Sequence, residues 1–313
     1  MEKLQELFVK SVNHYFPDEG EAWLSKLPDL IYYCEQKWSI TVKKPYSLSI
    51  NYVAPAVTRM GEELVVKICI PGEGFMNELE ALQLFEGKGM VQLVDWDEDY
   101  GLFLLEKINP GTYLADVLED EEACEIAADV INKLHKERPK QTRFIPTVIS
   151  REQNFKRIVE KNPNGLGPIS RDELSLALTI FTYLNKTTKK QYLLHGDFHH
   201  YNVLESGEGN WIAIDPKGLI GEREYDLIQY MLNKLPEQGA YDVIRKRTEI
   251  FMSKLDISYE RLLLWGYSHA VLATSWSVDG ENYDERFLNG ISIFKSLCES
   301  SAGAKLEEVY LND

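Results

Sequence analysis

Residues 192–215 interrupt two long tracts of helical periodicity with short apolar runs, and this interruption limits the fold more than any other feature. The runs are Tyr192-Leu193-Leu194, Val203-Leu204 and Trp211-Ile212-Ala213-Ile214, with polar loops between them. Upstream, Ala123, Ile126, Ala127, Val130 and Leu134 make one apolar helical stripe, and Leu174, Leu178, Phe181 and Leu184 make another. Downstream, from about 224 to 300, the chain reads helical again. The second half is therefore expected to be mainly helical with one β interlude whose loops carry polar side chains.

The first hundred residues have a different texture. Leu4, Leu7, Phe8, Val12 and Tyr15 predict an amphipathic opening helix over 3–16. Ser47 to Val57 alternates loosely, Arg59-Met60-Gly61-Glu62-Glu63 reads as a hairpin turn, and Leu64–Ile70 is a strand rich in β-branched residues. Pro71-Gly72-Glu73-Gly74 breaks it, and Phe75, Leu79, Leu82 and Phe85 mark a helix from about 75 to 87. Two short strands, Val91–Trp96 and Gly101–Leu105, follow around the polar turn Asp97-Glu98-Asp99. Asn109-Pro110-Gly111 is the sharp punctuation before the helical region. The expected architecture is α+β and bilobal. A small β-rich lobe of sheet plus one long helix covers 1–106, and a larger helical lobe covers 107–313.

Composition narrows the function. Apolar residues at 44% and charged residues at 27% over 313 residues exclude wholesale disorder. A formal net charge of −16 repels phosphate backbones, so no nucleic-acid partner is expected. Cys34, Cys69, Cys124 and Cys298 are scattered, which points to a reduced, cytoplasmic setting. Met1-Glu2-Lys3-Leu4-Gln5-Glu6 carries acids and does not read as a signal peptide. No apolar run nears the roughly 18 residues of a membrane span, so no membrane partner is expected.

The chemistry concentrates in the β interlude. His195-Gly196-Asp197-Phe198-His199-His200-Tyr201-Asn202 follows an apolar strand, and Asp215 ends the next one. Asn202 stands five positions after Asp197, the spacing of the H-R-D-x-x-x-x-N catalytic loop of protein kinases. Phosphoryl transfer needs a carboxylate to orient and deprotonate the attacking hydroxyl, and oxygen ligands for Mg²⁺. Asp197 suits the first task. Asn202 and Asp215 supply an amide oxygen and a carboxylate, hard ligands suited to Mg²⁺. Pro216 biases Asp215 away from helical geometry, so its side chain is expected at a strand end facing a cleft. A rival reading takes His195, Asp197, His199 and His200 as zinc ligands of a hydrolase, with His14, His135 or His269 available to complete the set. That reading leaves Asn202 and Asp215 unused. A plainer role for His195 is to hold the loop by hydrogen bonds, while His199 or His200 packs or faces solvent.

The first half supplies matching parts in matching order. Lys67 sits mid-strand in Val65-Val66-Lys67-Ile68, like the V-A-I-K strand whose lysine meets nucleotide phosphates. Glu78 lies eleven residues later on the following helix, placed to hold that lysine, with Glu80 as a competitor. In isolation Lys67 reads as an outward strand lysine and Glu78 as a solvated helix residue. Leu104-Leu105-Glu106-Lys107-Ile108 connects the lobes and can offer backbone groups to an adenine edge. No G-x-G-x-x-G is present, so a hairpin at Ser47-Leu48-Ser49-Ile50-Asn51-Tyr52 would have to cover the phosphates.

Two blocks, H-G-D-F-H-H-Y-N-V-L at His195–Leu204 and I-D-P-K-G-L-I-G-E-R-E-Y-D-L at Ile214–Leu227, resemble the aminoglycoside/hydroxyurea antibiotic resistance kinases. Streptomycin 6-phosphotransferases belong to that family, within the aminoglycoside-phosphotransferase, protein-kinase-like fold. The likeness runs in motif order from about 47 to 280, tightest at the two blocks. It implies a bilobal, ATP-dependent small-molecule kinase. Asp197 is then the catalytic aspartate, Asn202 and Asp215 hold Mg²⁺, Lys67 binds phosphate with Glu78 as partner, and Glu106 to Ile108 form the adenine-binding hinge. Asp226 matches an aspartate that braces the catalytic loop, and Lys217 and Gly218 belong to the same block. A catalytically silent nucleotide-binding module of this fold is the alternative, against which the intact Lys67, Asp197, Asn202 and Asp215 count.

The acceptor is expected to be a small hydroxylated molecule. Asp279-Gly280-Glu281-Asn282-Tyr283-Asp284-Glu285, just after Ser275-Trp276-Ser277, packs four acids into seven residues. Such a segment suits a cationic acceptor through ion pairing and cation–π contact, or is a solvated loop between two helices. Oligomeric state leaves no trace in the sequence.

Overall fold

The computed structural model describes residues 4–310, so position 3 of the expected opening helix lies outside the described residues. The chain forms two compact units, one of residues up to Gly111 together with Glu205–Ile212, the other of Thr112–Leu204 with Ala213 onward. No helix among the described residues is long and apolar enough to cross a membrane.

In the first unit, α1 (Glu6–Tyr15) and α2 (Gly20–Trp38) precede β1 (Ile40–Val42), β2 (Tyr52–Thr58) and β3 (Glu63–Ile68). Helix α3 (Glu73–Phe85), β4 (Leu93–Asp97) and β5 (Leu102–Glu106) complete it. The strands form one antiparallel sheet in the order β1-β2-β3-β5-β4. Because side chains alternate along a strand, Ala54, Ala56, Val66, Ile68, Leu102 and Leu104 share one face. There they pack with Phe8, Val12, Trp23 and Leu27 of α1 and α2. Lys67, opposite Val53 and Phe103 in the register, is turned to the other face, where Phe75 of α3 stacks on Phe103 at 4.4 Å. Gly101, at φ +69°, brings the β4–β5 turn so close that a Cβ there would stand 2.5 Å from the Cys69 carbonyl oxygen.

Two expectations change here. The described residues of the unit carry three helices: α2, which runs through the internal Pro28, was not anticipated, and it buries only a thin stripe through Trp23, Leu27 and Cys34. Residues 47–51 form no hairpin. They lie in the connection between β1 and β2, tied back by the Leu48 N–H donating to Gln5 Oε1 at 3.0 Å.

The second unit opens with α4 (Asp120–Leu134), β6 (Lys136–Glu137), α5 (Val148–Lys161) and α6 (Arg171–Thr187). The interlude follows as β7 (Tyr192–Leu194), β8 (Val203–Gly207), β9 (Asn210–Ala213) and β10 (Leu219–Gly221). Then come α7 (Arg223–Asp226), α8 (Ile228–Leu232), α9 (Ala240–Lys254), α10 (Tyr259–Ser277), α11 (Glu285–Ala302) and α12 (Leu306–Tyr310). Strands β10-β7-β6 make a small antiparallel sheet, and β8 pairs with β9. Every residue of α10 from Leu262 to Ser275 is buried, which makes it the central rod of this unit.

Candidate active site

Strand β7 runs through buried Leu193 and Leu194 into His195, which is fully buried. The chain then turns at Gly196, where φ is +83° and a side chain would be strained. Asp226, on α7, accepts hydrogen bonds from both the His195 and Gly196 N–H groups at 2.8 Å. The His195 ring works on the loop's other side. Its Nδ1 accepts from the Asp197 N–H at 3.2 Å, which leaves Nε2 to donate to the Ile214 carbonyl at 2.9 Å. The His195 carbonyl in turn accepts from the Lys217 and Gly218 N–H groups at 2.9 and 3.0 Å. Lys217 and Gly218 therefore act through their backbone, closing the second loop onto the first.

Asn202 ends a 3₁₀ turn at His200–Asn202, with Phe198 fully buried as the loop's apolar anchor. Its Nδ2 donates to the Asp197 carbonyl at 3.0 Å, and its own carbonyl accepts from the Ile214 N–H at 2.9 Å. Asp197, Asn202 and Asp215 are thus brought together by the Asn202 side chain within the first loop and by a backbone bond that joins it to the second. Strand β9 ends at Ala213, two residues earlier than expected, and Asp215 takes φ +58°, a left-handed conformation rare outside glycine. Such strain is stored where surrounding structure over-determines it, and here the Lys217 and Gly218 bonds hold the bend. Lys217 Nζ lies 3.8 Å from Asp215 Oδ2.

The donor set fits Mg²⁺. Spending the Asn202 amide N–H on the Asp197 carbonyl turns Oδ1 away from that bond, and Asp215 adds a carboxylate. Mg²⁺ takes few protein ligands and keeps waters and substrate phosphates, so one amide and one carboxylate oxygen suffice. A zinc cluster does not form. Both His195 nitrogens are engaged, and the His200 ring stacks on Tyr230 at 3.9 Å with its pKa pushed down to about 2 by burial and the Arg247 charge. Buried Tyr225 OH lies 2.8 Å from His269 Nδ1. Among the described residues no group of three His, Cys, Asp or Glu side chains converges to hold a metal ion.

In the first unit, Lys67 Nζ lies 2.6 Å from Glu78 Oε1, with both side chains about 5% exposed. A buried ion pair is poor evidence of stability, since desolvating both charges offsets their attraction. Its value lies in holding a cation in one place. Glu106 ties β5 to residue 92: its Oε1 accepts from the Gln92 N–H at 2.7 Å and its N–H donates to the Gln92 carbonyl at 3.0 Å. Ile108 follows in the connector, whose Lys107 pairs with Glu63 at 2.7 Å. The 279–285 segment is the loop and first turn between α10 and α11. Asp284 caps α11 and pairs with Arg286, while Asp279 and Glu281 stay exposed. Sequence reasoning passed over Arg151 of α5, which donates from Nη2 to the Gly196 carbonyl at 3.3 Å; no local motif marks it.

A family model described as aminoglycoside/hydroxyurea antibiotic resistance kinase matches residues 41–280. The streptomycin 6-kinase of Streptomyces griseus is 27% identical over 273 residues, spanning 84% of this chain and 86% of that protein. The hydroxyurea phosphotransferase of Kitasatospora aureofaciens is 26% identical over 272 residues, spanning 84% and 76%. Among solved structures, choline kinase LicA from Streptococcus pneumoniae superposes with a TM-score of 0.62 at 15% identity, covering 88% of this chain and 99% of that chain. That last likeness is one of fold.

Proposed function

This chain belongs to the aminoglycoside/hydroxyurea antibiotic resistance kinase family and is a phosphotransferase with an alcohol group as acceptor, and on that premise we propose that it transfers the γ-phosphoryl group of ATP to a hydroxyl of an aminoglycoside-like small molecule. The observation that carries this reading is the stitched pair of loops presenting Asp197, Asn202 and Asp215 together.

Asp197 accepts the acceptor's hydroxyl proton as the new O–P bond forms and the bond from the γ-phosphorus to the β–γ bridging oxygen breaks, leaving ADP. Its backbone N–H and C=O are both bonded, which holds the main chain from which the carboxylate reaches toward the hydroxyl. Lys67, held by Glu78, meets the donor phosphates as a fixed positive charge. The connector Glu106 to Ile108 would offer backbone groups to the adenine edge. Asn202 and Asp215 would hold Mg²⁺, which when bound would neutralise the charge that develops on the transferring phosphoryl group.

The test is a screen of purified protein with ATP, Mg²⁺ and a panel of hydroxylated compounds that includes streptomycin and hydroxyurea, read by ADP release. Acceptor-dependent ADP release that disappears in Asp197→Asn supports the reading. A panel in which no compound raises ADP release above the rate with water alone counts against it.

A further inference from the structure

The peptide group joining Gly196 to Asp197 is gripped at both ends. Its N–H donates to His195 Nδ1 at 3.2 Å, and its C=O accepts from Arg151 Nη2 at 3.3 Å. The first grip comes from the loop itself. The second comes from α5, far upstream in sequence and outside both motif blocks.

The guanidinium is held as firmly as the carbonyl it holds. Its carbon lies 5.3 Å from the Tyr225 ring centroid and 5.9 Å from that of Trp276, within reach of both π-faces. Arg151 Nη1 also donates to the Tyr225 hydroxyl at 3.2 Å. That hydroxyl donates a hydrogen bond to His269 Nδ1 at 2.8 Å, and burial, seconded by the Arg151 charge, keeps His269 neutral with a pKa of about 3. The outer ring, Trp276, is 47% exposed and is pinned by its Nε1 donating to Asn154 Oδ1 at 3.0 Å. Asn154 lies one helical turn beyond Arg151 on α5. Two aromatic rings, one hydroxyl and one asparagine therefore aim a single guanidinium at one backbone carbonyl.

We propose that Arg151 is a positioning residue of the phosphoryl-transfer site, fixing the Gly196–Asp197 peptide and through it the direction of the Asp197 carboxylate. This rests on the reading of Asp197 as the group that takes the acceptor's proton. Without Arg151 the peptide keeps only the His195 grip and rotates, so the carboxylate is misplaced while nucleotide and acceptor contacts survive. The loss therefore falls on kcat. Displacement of a reacting group by about 1 Å costs up to ~100-fold in rate.

The experiment compares Arg151→Ala, Arg151→Met, Arg151→Lys and Asp197→Asn with the unaltered chain. Phosphorylation of streptomycin is followed, or ATP hydrolysis where streptomycin is not taken. Arg151→Ala is expected to lower kcat by about 10- to 100-fold with KM values changed less than about threefold. Arg151→Lys is expected to recover part of this. Ethylguanidinium at millimolar concentration is expected to raise the kcat of Arg151→Ala saturably and to leave the unaltered chain and Asp197→Asn unchanged. A merely structural arginine would show no such rescue, since guanidinium compounds weaken folded proteins. Arg151→Met, which keeps an apolar stem between the rings, carries the kcat comparison if the alanine variant does not fold. A folded Arg151 variant within twofold of normal kcat, or one whose loss lies wholly in KM, overturns the proposal. If Asp197→Asn is inactive while the Arg151 variants are normal, only this inference falls; if Asp197→Asn is active, the reading of the loop falls with it.

Discussion

Asp226 shows how one buried carboxylate can set a site it never enters. It closes two backbone donors of the loop that carries Asp197, the His195 and Gly196 N–H groups. Burial by itself raises its pKa, but the facing His135 and His195 imidazoles and the Gly196 N–H outweigh that and hold it below the ordinary value. A lowered folded pKa means stability that is complete above the unfolded value of about 3.9 and is lost as pH falls through the folded one. Asp226→Asn, which offers one acceptor for two donors, should cost about 1–3 kcal/mol at pH 7 for the N–H left unpaired. Urea unfolding at pH 7, 5 and 3 should show this difference hold between pH 7 and 5 and shrink toward pH 3. A gap that widens in acid would contradict the assignment. At Asp197 the substitution to Asn changes little volume, so the fold and ATP affinity should persist while turnover falls about 10²- to 10⁴-fold. Near-normal turnover in the folded variant would remove Asp197 from its role. Asp215→Ala deletes the carboxylate we propose as a Mg²⁺ ligand and should make ATP binding lose its Mg²⁺ dependence, whereas Asn202→Ala, which removes a neutral amide, should weaken that dependence less. Titration of ATP with and without Mg²⁺ measures both, and an unchanged dependence in each variant would mean the ligands lie elsewhere.

Helix α10 sits against α11 at a contact that admits no side chain at one position. A Cβ on Gly266 would stand 2.3–2.6 Å from three ring atoms of Phe294. Alanine would gain up to about 1 kcal/mol of helix propensity, yet overpacking a tight core costs typically 1–3 kcal/mol and more where backbone and ring cannot give. The expected net effect of Gly266→Ala is destabilisation, relieved in part by adding Phe294→Leu. Denaturant midpoints of the single and double variants check this, and a Gly266→Ala chain as stable as the original would refute the close contact. The same element explains an uneven legibility. Helices α4 and α6 declared themselves because one face is apolar and the other polar, whereas α10 is buried on all sides and has little periodicity to read. Strand β3 was plain from its β-branched residues with Lys67 mid-strand, whereas the residue alone read as an outward lysine and only the structure shows it buried beside Glu78.

At the scale of the molecule, a formal charge of −16 creates a field that draws cations and falls off over about 8 Å at physiological salt. Exposed Asp279 and Glu281, beside half-exposed Trp276, are where we propose a cationic acceptor feels that field most. Asp279→Asn with Glu281→Gln should raise KM for streptomycin several-fold at low salt and much less at high salt, with ATP affinity unchanged. An identical KM at both salt levels would leave the segment as ordinary surface. What the sequence alone determined were features written in short spacings: strands and helices with one wet face, the Asp197–Asn202 interval, and the chain order of Lys67, Glu78, Asp197 and Asp215. Those spacings also carried the family resemblance. Tertiary structure alone decided which distant groups close the site. Asp226 reaches back 30 residues to Gly196, Arg151 reaches forward 45, and the tip of the β8–β9 hairpin belongs with the first compact unit. It also decided that Asp215 bends left-handed two residues past its strand. The reason is that a local pattern specifies which face of an element is apolar, while the partner of a particular carbonyl or carboxylate depends on how those faces pack.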